Sequence, residues 1–393
     1  MKFAYYPGCS LGSSAIEYHL STKKAAEFLE IELIELEDWN CCGATSAHNT
    51  NKLLSLALPA RNLAIAEDTG LDVLAPCAAC YNRFRATEHS VREDAENKEK
   101  VQKAIDMEYS ASNETVSVLE LFAQKAGVDA IKQKVKKPLN GLKAVAYYGC
   151  LLVRPVSHTG FDDPEDPQTL DEIIKALGAT SIDWSHKTEC CSAALATSRP
   201  DVAAPMMYDI LRAAKEAEAD CIVTVCPLCV MNLDMRQKSI KNKYKLDYDI
   251  PVYYITELMA VAFGATPQEI KTDKHFVEAV KLLERLPLED NSDMGDNNTD
   301  NKKTKQEAAA SKDEDPEALQ KKINAFKKGF EKNPEKMSAR LIDDEERAKI
   351  LAEVVTGDEK KVTKLAEFMA SDNEKAKKAA EAYVTGEIKK RNK

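Results

Sequence analysis

The sequence predicts an α/β protein built from two pseudo-symmetric domains, each with a mainly parallel sheet flanked by helices, and a helical, partly disordered C-terminal extension. Three observations lead to this prediction. Five cysteines recur in the second half of the chain with nearly the same spacing, short apolar runs alternate with helical patterns around them, and the composition changes after about residue 288.

The repeat consists of a single cysteine, an adjacent pair and a C-x-x-C motif. The first copy has Cys9, Cys41, Cys42, Cys77 and Cys80, and the second has Cys150, Cys190, Cys191, Cys226 and Cys229. Four of the five positions are offset by 149 residues between the copies, and only the first is offset by 141. A constant offset over so many cysteines indicates an internal duplication.

The segments around the cysteines repeat as well. Apolar, aromatic runs at 3–9 and 145–150 each end in a turn signal and a cysteine, and the runs 71–77 and 221–226 lead into the C-x-x-C motifs. The remaining predicted elements are helices over 53–67 and 202–218, and closing strands over 116–121 and 252–258. Strands that alternate with helices form parallel sheets, and ligands gather beyond the carboxyl ends of such strands. We therefore expect each set of cysteines to meet at one edge of its sheet.

The predicted domain boundaries follow from polar segments. The first domain covers residues 1–139 and the second covers 140–288. Residues 289–315 are acidic and rich in Asn and Lys, with little to bury, so we expect a disordered linker. Residues 316–393 regain helical spacing and form a charged helical extension, which either stays solvated or docks onto a partner or onto this chain.

Composition narrows the class of protein. The 393-residue chain is 44% hydrophobic and carries a net charge of -10, which does not suit nucleic-acid binding, because basic residues must neutralise phosphates there. The N-terminus lacks a secretory signal, and no run approaches the roughly 20 apolar residues that cross a bilayer. We expect a cytoplasmic protein without direct membrane insertion. Its eleven cysteines then serve as metal ligands or redox groups rather than as structural disulfides.

Five cysteines per copy are one more than a structural zinc ion or an ordinary cubane cluster uses. Adjacent cysteine side chains diverge, which suits a multi-iron cluster better than a single ion. We therefore favour an iron–sulfur cluster in each copy over two structural zinc ions or a metal-free thiol–disulfide relay. The eleventh cysteine, Cys221, lies in an apolar run without a counterpart in the first copy, and we expect it to be buried as a small hydrophobic residue.

The duplicated pattern resembles the CCG domain found in the B subunit of heterodisulfide reductase. The resemblance covers residues 1 to about 265 and includes the YPGC segment ending at Cys9, the WNCCG segment around Cys41 and the APC segment ending at Cys77. It does not cover the tail after about residue 288.

The resemblance implies two noncubane 4Fe-4S clusters, each held by all five cysteines of one copy, with a small-molecule disulfide substrate bound between them so that each sulfur engages an iron. It also implies two partners. One is a flavoprotein like the A subunit of that enzyme, which splits electron pairs, and the other is an iron–sulfur protein like its C subunit, with cubane clusters. No flavin is expected in this chain, which also lacks a G-x-G-x-x-G motif after a strand.

One position departs from the family pattern. Ser192 follows the second cysteine pair where the CCG motif has glycine, as at Gly43 in the first copy. Serine is small, so we expect the second cluster to persist. Its hydroxyl can donate to a cluster sulfide and raise the cluster potential slightly.

Other polar residues near the cysteines are candidates for accessory roles. His48 and His158 are proton-donor candidates, although a hydrogen-bonded loop histidine is the commoner finding. Arg154 and Lys187 are candidates for holding an anionic group of the substrate, against ordinary surface charge. Asn82 and Asn232 follow the two C-x-x-C motifs, and we expect each of them to cap or brace the helix that comes next.

The resemblance thus implies the catalytic B subunit of a heterodisulfide reductase-like complex, inside a flavin-based electron-bifurcating assembly. Related CCG proteins also occur with succinate or fumarate dehydrogenases and with quinone oxidoreductases, so an electron-transfer subunit of that kind is the main alternative. A cavity lined with basic residues would favour the disulfide, and an apolar channel would favour the quinone. A zinc-stapled interaction protein is the third interpretation.

Overall fold

Two four-stranded sheets, both entirely parallel, form the centre of the protein. Their strands are β1 (Lys2–Tyr5), β2 (Glu32–Glu35), β3 (Val73–Leu74), β4 (Thr115–Val116), β5 (Lys143–Tyr147), β6 (Thr180–Ile182), β7 (Cys221–Thr224) and β8 (Val252–Tyr254). The first sheet has the order β2-β1-β3-β4 and the second has β6-β5-β7-β8. This computed structural model describes residues 1–44 and 47–286, and scattered positions from 326 to 391. The predicted α/β fold class, with two related domains and parallel sheets, is confirmed.

The central strands are short, apolar and covered on both faces. In the first sheet Tyr5 pairs with Leu74, and in the second Tyr147 pairs with Thr224. All four residues have no exposed surface. Burial on both faces is the usual condition of a parallel sheet, because the crossover helices cover both sides.

Helices connect the strands in both repeats. In the first they are α1 (Gly8–Leu11), α2 (Ile16–Phe28), α3 (Ala47–Thr50), α4 (Lys52–Asp68), α5 (Ala78–Glu93), α6 (Ala95–Ile105), a π-helical segment (Glu120–Gly127) and α7 (Val128–Lys134). In the second they are α8 (Val156–Thr159), α9 (Thr169–Ala176), α10 (Leu195–Ser198), α11 (Pro200–Glu216), α12 (Pro227–Val230), a π-helical segment (Met231–Met235), α13 (Gln237–Tyr244), α14 (Ile255–Ala262), a 3-10 turn (Thr272–Lys274) and α15 (Val280–Glu284). The helices predicted over 53–67 and 202–218 correspond to α4 and α11.

The predicted closing strands are shorter than expected. β4 ends at Val116, because Ser117 and Glu120 form a capping box that starts a helix: the Ser117 N–H donates to Glu120 Oε2 at 2.7 Å, and the Glu120 N–H donates to Ser117 Oγ at 3.2 Å. In the second repeat the Tyr254 N–H donates to Glu257 Oε2 at 3.0 Å. The apolar runs 116–121 and 252–258 are therefore a short strand followed by a buried first turn of helix.

Helices of the two repeats pack against each other across a shared interface. Helix α2 of the first repeat packs on α14 of the second, and α7 packs on α9. In the first of these contacts Tyr18 stacks on Tyr254 with ring centroids 3.9 Å apart, and Ser21 Oγ lies 2.7 Å from Thr256 Oγ1. Both repeats consequently belong to one compact unit.

The described residues after 326 belong to a second unit with an apolar cluster of its own. Its helices include α16 (Pro334–Ser338), α17 (Glu345–Thr356) and α18 (Glu359–Ser371). The buried side chains of the cluster include Phe330, Met337, Leu341, Leu351, Val355, Leu365 and Val384. The linker expected to be disordered, residues 289–315, lies outside the described residues.

Candidate functional site

The ten repeated cysteines all follow the carboxyl ends of parallel strands. In the first repeat Cys9 lies in α1 directly after β1, Cys41 and Cys42 lie in the loop after β2, and Cys77 and Cys80 lie at the start of α5 after β3. The second repeat places its cysteines in the same way: Cys150 after β5, Cys190 and Cys191 after β6, and Cys226 and Cys229 around α12 after β7. Each set therefore gathers at one edge of its sheet.

Within each set, the second cysteine of the pair meets the second cysteine of the C-x-x-C motif. Cys42 Sγ is 3.1 Å from Cys80 Sγ, and Cys191 Sγ is 3.6 Å from Cys229 Sγ. These four cysteines are buried, whereas Cys9 and Cys41 are exposed. Each set thus combines buried cysteines with more accessible ones.

Contacts between the thiols shift their pKa values in both directions. These contacts and burial raise the pKa values of Cys41, Cys80, Cys150 and Cys229, whereas three other thiols have lowered values. Hydrogen bonds from Cys41 and Cys80 hold the pKa of Cys42 well below its usual value, and hydrogen bonds from Cys226 and Cys80 do the same for the pKa of Cys77. In the second repeat a hydrogen bond from Cys150 lowers the pKa of Cys190 to about 6. The thiolate is the form of cysteine that binds metals.

The first glycine of each repeat lets the backbone approach a cysteine sulfur. Gly8 and Gly149 have φ values of +63° and +67°. A Cβ on Gly8 would lie 3.5 Å from Cys80 Sγ, and a Cβ on Gly149 would lie 3.3 Å from Cys229 Sγ. Any side chain here would project toward the sulfurs and occupy space beside them.

Ser192 keeps the backbone conformation of the glycine that it replaces. Its φ is +74°, compared with +71° at Gly43. The Ser192 side chain is buried, and its Oγ has no hydrogen-bond partner among the described residues. The second repeat therefore carries a strained residue with an unused buried donor beside its cysteine pair.

The two C-x-x-C motifs lie against each other at the interface between the repeats. Although Cys229 favours the thiolate of Cys226, the neighbouring Cys77 and burial raise the pKa of Cys226 to about 12. The Tyr18 hydroxyl lies 3.0 Å from both Pro76 O and Val225 O, the carbonyls that precede the two motifs. One side chain of α2 thus fixes both motifs.

Of the two predicted roles, capping or bracing, Asn82 and Asn232 do not cap helices; they lie within helical segments and brace them against the cysteine loops. Asn82 Nδ2 donates to the carbonyls of Leu151 and Arg154, at 2.9 and 2.8 Å, and so ties the first repeat to the loop after Cys150. Asn232 Nδ2 donates to Cys191 O at 2.9 Å and to Ala193 O at 3.0 Å. Each amide satisfies two carbonyls of a non-helical segment.

The proposed basic residues are engaged by acidic partners. Lys187 is buried rather than on the surface, and its Nζ lies 3.0 Å from Asp166, 3.6 Å from Asp171 and 3.5 Å from Asp183. Arg154 is half-buried and pairs with Glu165 at 3.2 Å while donating to the Thr188 hydroxyl. Both charges are compensated within the second repeat.

The structure describes the side chain of only one of the two histidine candidates. His48 lies in α3, and its side chain is outside the described part of the chain. His158 lies in α8 next to His89 of α5, with ring centroids 6.3 Å apart. Burial lowers the pKa of His158, and the nearby charges of Arg83, His89 and Arg85 lower it further. A neutral imidazole at this place is a weak proton donor at neutral pH.

Sequence reasoning missed Tyr18 and a buried group of ionisable residues, Glu17, Asp234, Glu257 and His275. The spacing Tyr-x-x-Glu before α14, which parallels the capping box at Ser117, was the available signal for Glu257. The others carry no local signal, because their partners are distant in sequence. The eleventh cysteine, Cys221, is fully buried in β7, as predicted.

Two features are absent from the part of the chain that the structure describes. No helix there is long and apolar enough to span a bilayer. No group of three or more His, Cys, Asp or Glu side chains there is arranged to hold a single metal ion.

The same duplication is found when the chain is compared with known proteins. The profile of the cysteine-rich CCG domain matches twice, at residues 3–85 and 144–234. The 8-methylmenaquinol:fumarate reductase membrane anchor subunit of Wolinella succinogenes is 35% identical over 284 residues, which cover 72% of this chain and 99% of that protein. The B subunit of the ferredoxin/F(420)H(2)-dependent CoB-CoM heterodisulfide reductase of Methanosarcina acetivorans is 28% identical over 291 residues, covering 72% of this chain and 97% of that protein.

A similar fold also occurs among solved structures. A hypothetical protein from Helicobacter pylori superposes with a TM-score of 0.58 at 14% identity, covering 71% of this chain and 52% of that chain. At this identity the likeness concerns the fold alone.

Proposed function

Because the chain belongs to the duplicated CCG-domain family that includes the B subunit of heterodisulfide reductase, we propose that it reduces a small disulfide, or oxidises the corresponding thiols, at two noncubane 4Fe-4S clusters. In this proposal the chain is one component of an electron-bifurcating assembly, with a flavoprotein and a cubane iron–sulfur protein as partners.

The donor set fits thiolate-bound clusters. The proposed ligands are Cys9, Cys41, Cys42, Cys77 and Cys80 in the first repeat and Cys150, Cys190, Cys191, Cys226 and Cys229 in the second. Depressed pKa values at Cys42, Cys77 and Cys190 favour three of the ten required thiolates. The unpartnered hydroxyl of Ser192 is a donor available to a cluster sulfide. Clusters of this type, when bound, supply one-electron transfer at thiolate-ligated iron.

The observation that carries the proposal is the closeness of the two C-x-x-C motifs: the carbonyls that precede Cys77 and Cys226 both lie 3.0 Å from the Tyr18 hydroxyl. It brings the two cysteine sets to one place, as the reduction of a disulfide by two electrons requires. Tyr18 holds the carbonyls before both cysteines, so the spacing of the two sets is fixed by the interface between the repeats. Asn82 and Asn232 restrain the loops on either side.

A second candidate, electron transfer to or from a quinone, is favoured by a different observation. The cavity next to the second C-x-x-C motif is lined mainly by apolar side chains, among them Ile16, Val230, Met231 and Phe276. Arg154 and Lys187, which were expected to hold an anionic disulfide substrate, are instead paired with carboxylates. The Wolinella relative, which is named for a quinol:fumarate reductase, agrees with this candidate.

An anaerobic acceptor assay separates the two candidates. Chemically reduced full-length protein is mixed with CoB-CoM heterodisulfide or with a water-soluble naphthoquinone, and thiol or quinol formation is measured. Disulfide consumption supports the proposal, whereas consumption of the quinone alone supports the second candidate. Consumption of neither contradicts both.

Matched cysteine variants make the assay specific. Cys77→Ser removes a proposed ligand at the contact between the sets, and we expect it to lower the rate about 100-fold or more. Cys221→Ala removes the buried cysteine outside both sets and should keep the rate within about twofold. Equal rates in the two variants would contradict the assignment of Cys77.

A further inference from the structure

A cavity of about 280 Å³ lies where the start of α2 meets the second C-x-x-C segment. Pro227, which immediately follows Cys226, forms part of its wall, and Tyr254 forms another part. Its lining also includes Phe276, which is 72% exposed, and Met235, which is 37% exposed. The cavity therefore connects the surface with the backbone of the second motif.

Glu17 is a buried carboxylate in the wall of this cavity. The residue is only 5% exposed, and its side chain forms no salt bridge among the residues that the structure describes. An ionised carboxylate without a partner is costly to bury. Such a group, placed in a cavity wall, is suited to exchange a proton with whatever occupies the cavity.

Further ionisable groups face Glu17 from the elements packed around α2. His275 Nε2 lies 2.9 Å from Glu257 Oε2 of α14, and His275 Nδ1 lies 3.6 Å from Asp234 Oδ2. Asp234 and Lys274 line the cavity with Glu17. Glu257 Oε1 is buried and has no hydrogen-bond partner among the described residues.

These neighbours leave Glu17 as the group that titrates near neutrality. Burial raises its pKa to about 7; the charge of His275 opposes this rise, and the charges of Glu257 and Asp234 support it. Although burial alone would lower the pKa of His275, the adjacent Glu257 and Asp234 raise it well above its usual value. His275 therefore remains an imidazolium that compensates its two acidic neighbours.

In the first repeat an arginine occupies the position that corresponds to Asp234. Arg85, which is offset from Asp234 by the same 149 residues as the cysteines, pairs there with Glu88 at 3.1 Å and Glu114 at 3.3 Å. An arginine keeps its charge at all relevant pH values. Burial raises the pKa of the Glu88 carboxyl to about 7, so the first repeat has a buried titratable carboxyl of its own, which is held by Arg85 and the Thr115 hydroxyl.

The cavity is also linked to the interface between the cysteine sets. Tyr254 in its wall stacks on Tyr18, whose hydroxyl is bonded to the carbonyls before Cys77 and Cys226. Tyr254 thus contacts both the cavity and Tyr18, the residue that holds the two motifs.

We propose that Glu17 is a proton-relay residue that passes protons from the cavity to the acceptor reduced between the two cysteine sets. Reduction of a disulfide breaks the S–S bond with two electrons, which the iron–sulfur partner supplies, and each sulfur takes up one proton. Glu17 gives up a proton and regains it from solvent through the cavity, once for each thiol. The inference rests on the proposed function, and it holds equally for a quinone, which also takes up two electrons and two protons.

The test compares Glu17→Gln with Glu27→Gln in the cluster-loaded full-length protein. Glu27 is an exposed glutamate on the same helix and serves as the control. Infrared spectroscopy reports the protonated carboxyl directly, without turnover. We expect a carboxylic-acid band that titrates near pH 7 and changes when the protein is chemically reduced, present in wild type and Glu27→Gln and absent in Glu17→Gln. The buried Glu88 gives a second band near pH 7, which Glu88→Gln identifies.

The rate profile gives the second readout. For wild type and Glu27→Gln the acceptor-reduction rate should fall as the pH rises through about 7, since Glu17 then loses the proton that it donates. Glu17→Gln should lose this inflection and about 100-fold in rate, within the usual range for general acid catalysis. A retained inflection in Glu17→Gln would overturn the relay.

The failure of the relay can be told apart from the failure of the proposed function. If wild type reduces neither acceptor, the proposed function is wrong. In that case, a Glu17 band that does not respond to reduction of the protein would overturn the relay as well. A band that still responds would support proton uptake by Glu17 with a different acceptor.

Discussion

At the residue scale, Ser192 occupies a backbone conformation that the first repeat gives to glycine. Ser192→Gly removes the strain of a side chain at φ +74° and an unpaired buried hydroxyl, so we expect the protein to be stabilised by about 1 kcal/mol. The same change removes the donor near the proposed second cluster, which should lower the potential of that cluster. Anaerobic urea unfolding and a redox titration measure the two effects.

The control for Ser192 is the reverse change in the first repeat. A Cβ at Gly43 would lie 2.8 Å from both Ala47 Cβ and Leu58 Cδ1, so Gly43→Ser should destabilise the protein by about 1–3 kcal/mol. An unaltered potential and spectrum in Ser192→Gly would show that the hydroxyl does not reach the cluster.

Also at the residue scale, Asn82 connects the first repeat to the loop after Cys150. Asn82→Leu leaves the carbonyls of Leu151 and Arg154 without their donor, and we expect a loss of about 2 kcal/mol in the free energy of unfolding. The measurement is denaturant unfolding, with Asn49→Leu at an exposed position as the control. Equal stability of the two variants would contradict the role of Asn82.

At the element scale, the contact of α2 with α14 determines how the two C-x-x-C motifs are placed. Tyr18→Phe keeps the ring stack on Tyr254 but leaves the carbonyls of Pro76 and Val225 without the hydroxyl. We expect a loss of about 1–3 kcal/mol, because buried carbonyls lose their donor. Denaturant unfolding under anaerobic conditions measures it.

Tyr109 provides the matched control for this change. Its hydroxyl is buried without a hydrogen-bond partner among the described residues, so Tyr109→Phe should be neutral or slightly stabilising. If Tyr18→Phe were as stable as Tyr109→Phe, the bridge between the two motifs would have no energetic role.

Also at the element scale, the sequence predicted the repeated strands and helices because their signals are local. Apolar runs, turn residues and helical spacing identify β1, β5, α4 and α11 without knowledge of the fold. The ends of the closing strands were wrong, since an apolar strand and the buried first turn of a helix look alike. The capping glutamates at 120 and 257 were the feature that separates them.

At the scale of the whole molecule, the duplication and its ten cysteines could be read from the sequence, but the contact between the repeats could not. Tyr18 and Val225 are 207 residues apart, and no periodicity links them. Burial was equally hidden: the sequence shows that Lys187 is charged, but not that three carboxylates surround it. Roles that depend on such tertiary contacts were therefore misassigned or missed.

The central claim is that each repeat holds its own iron–sulfur cluster. The most direct measurement is the iron, acid-labile sulfide and zinc content of the anaerobically purified full-length chain, beside a variant with Cys150, Cys190 and Cys191 all changed to serine. We predict about eight iron and eight sulfide per wild-type chain and about half of each in the variant. Zinc without sulfide, or an iron content that the three substitutions leave unchanged, would contradict the claim.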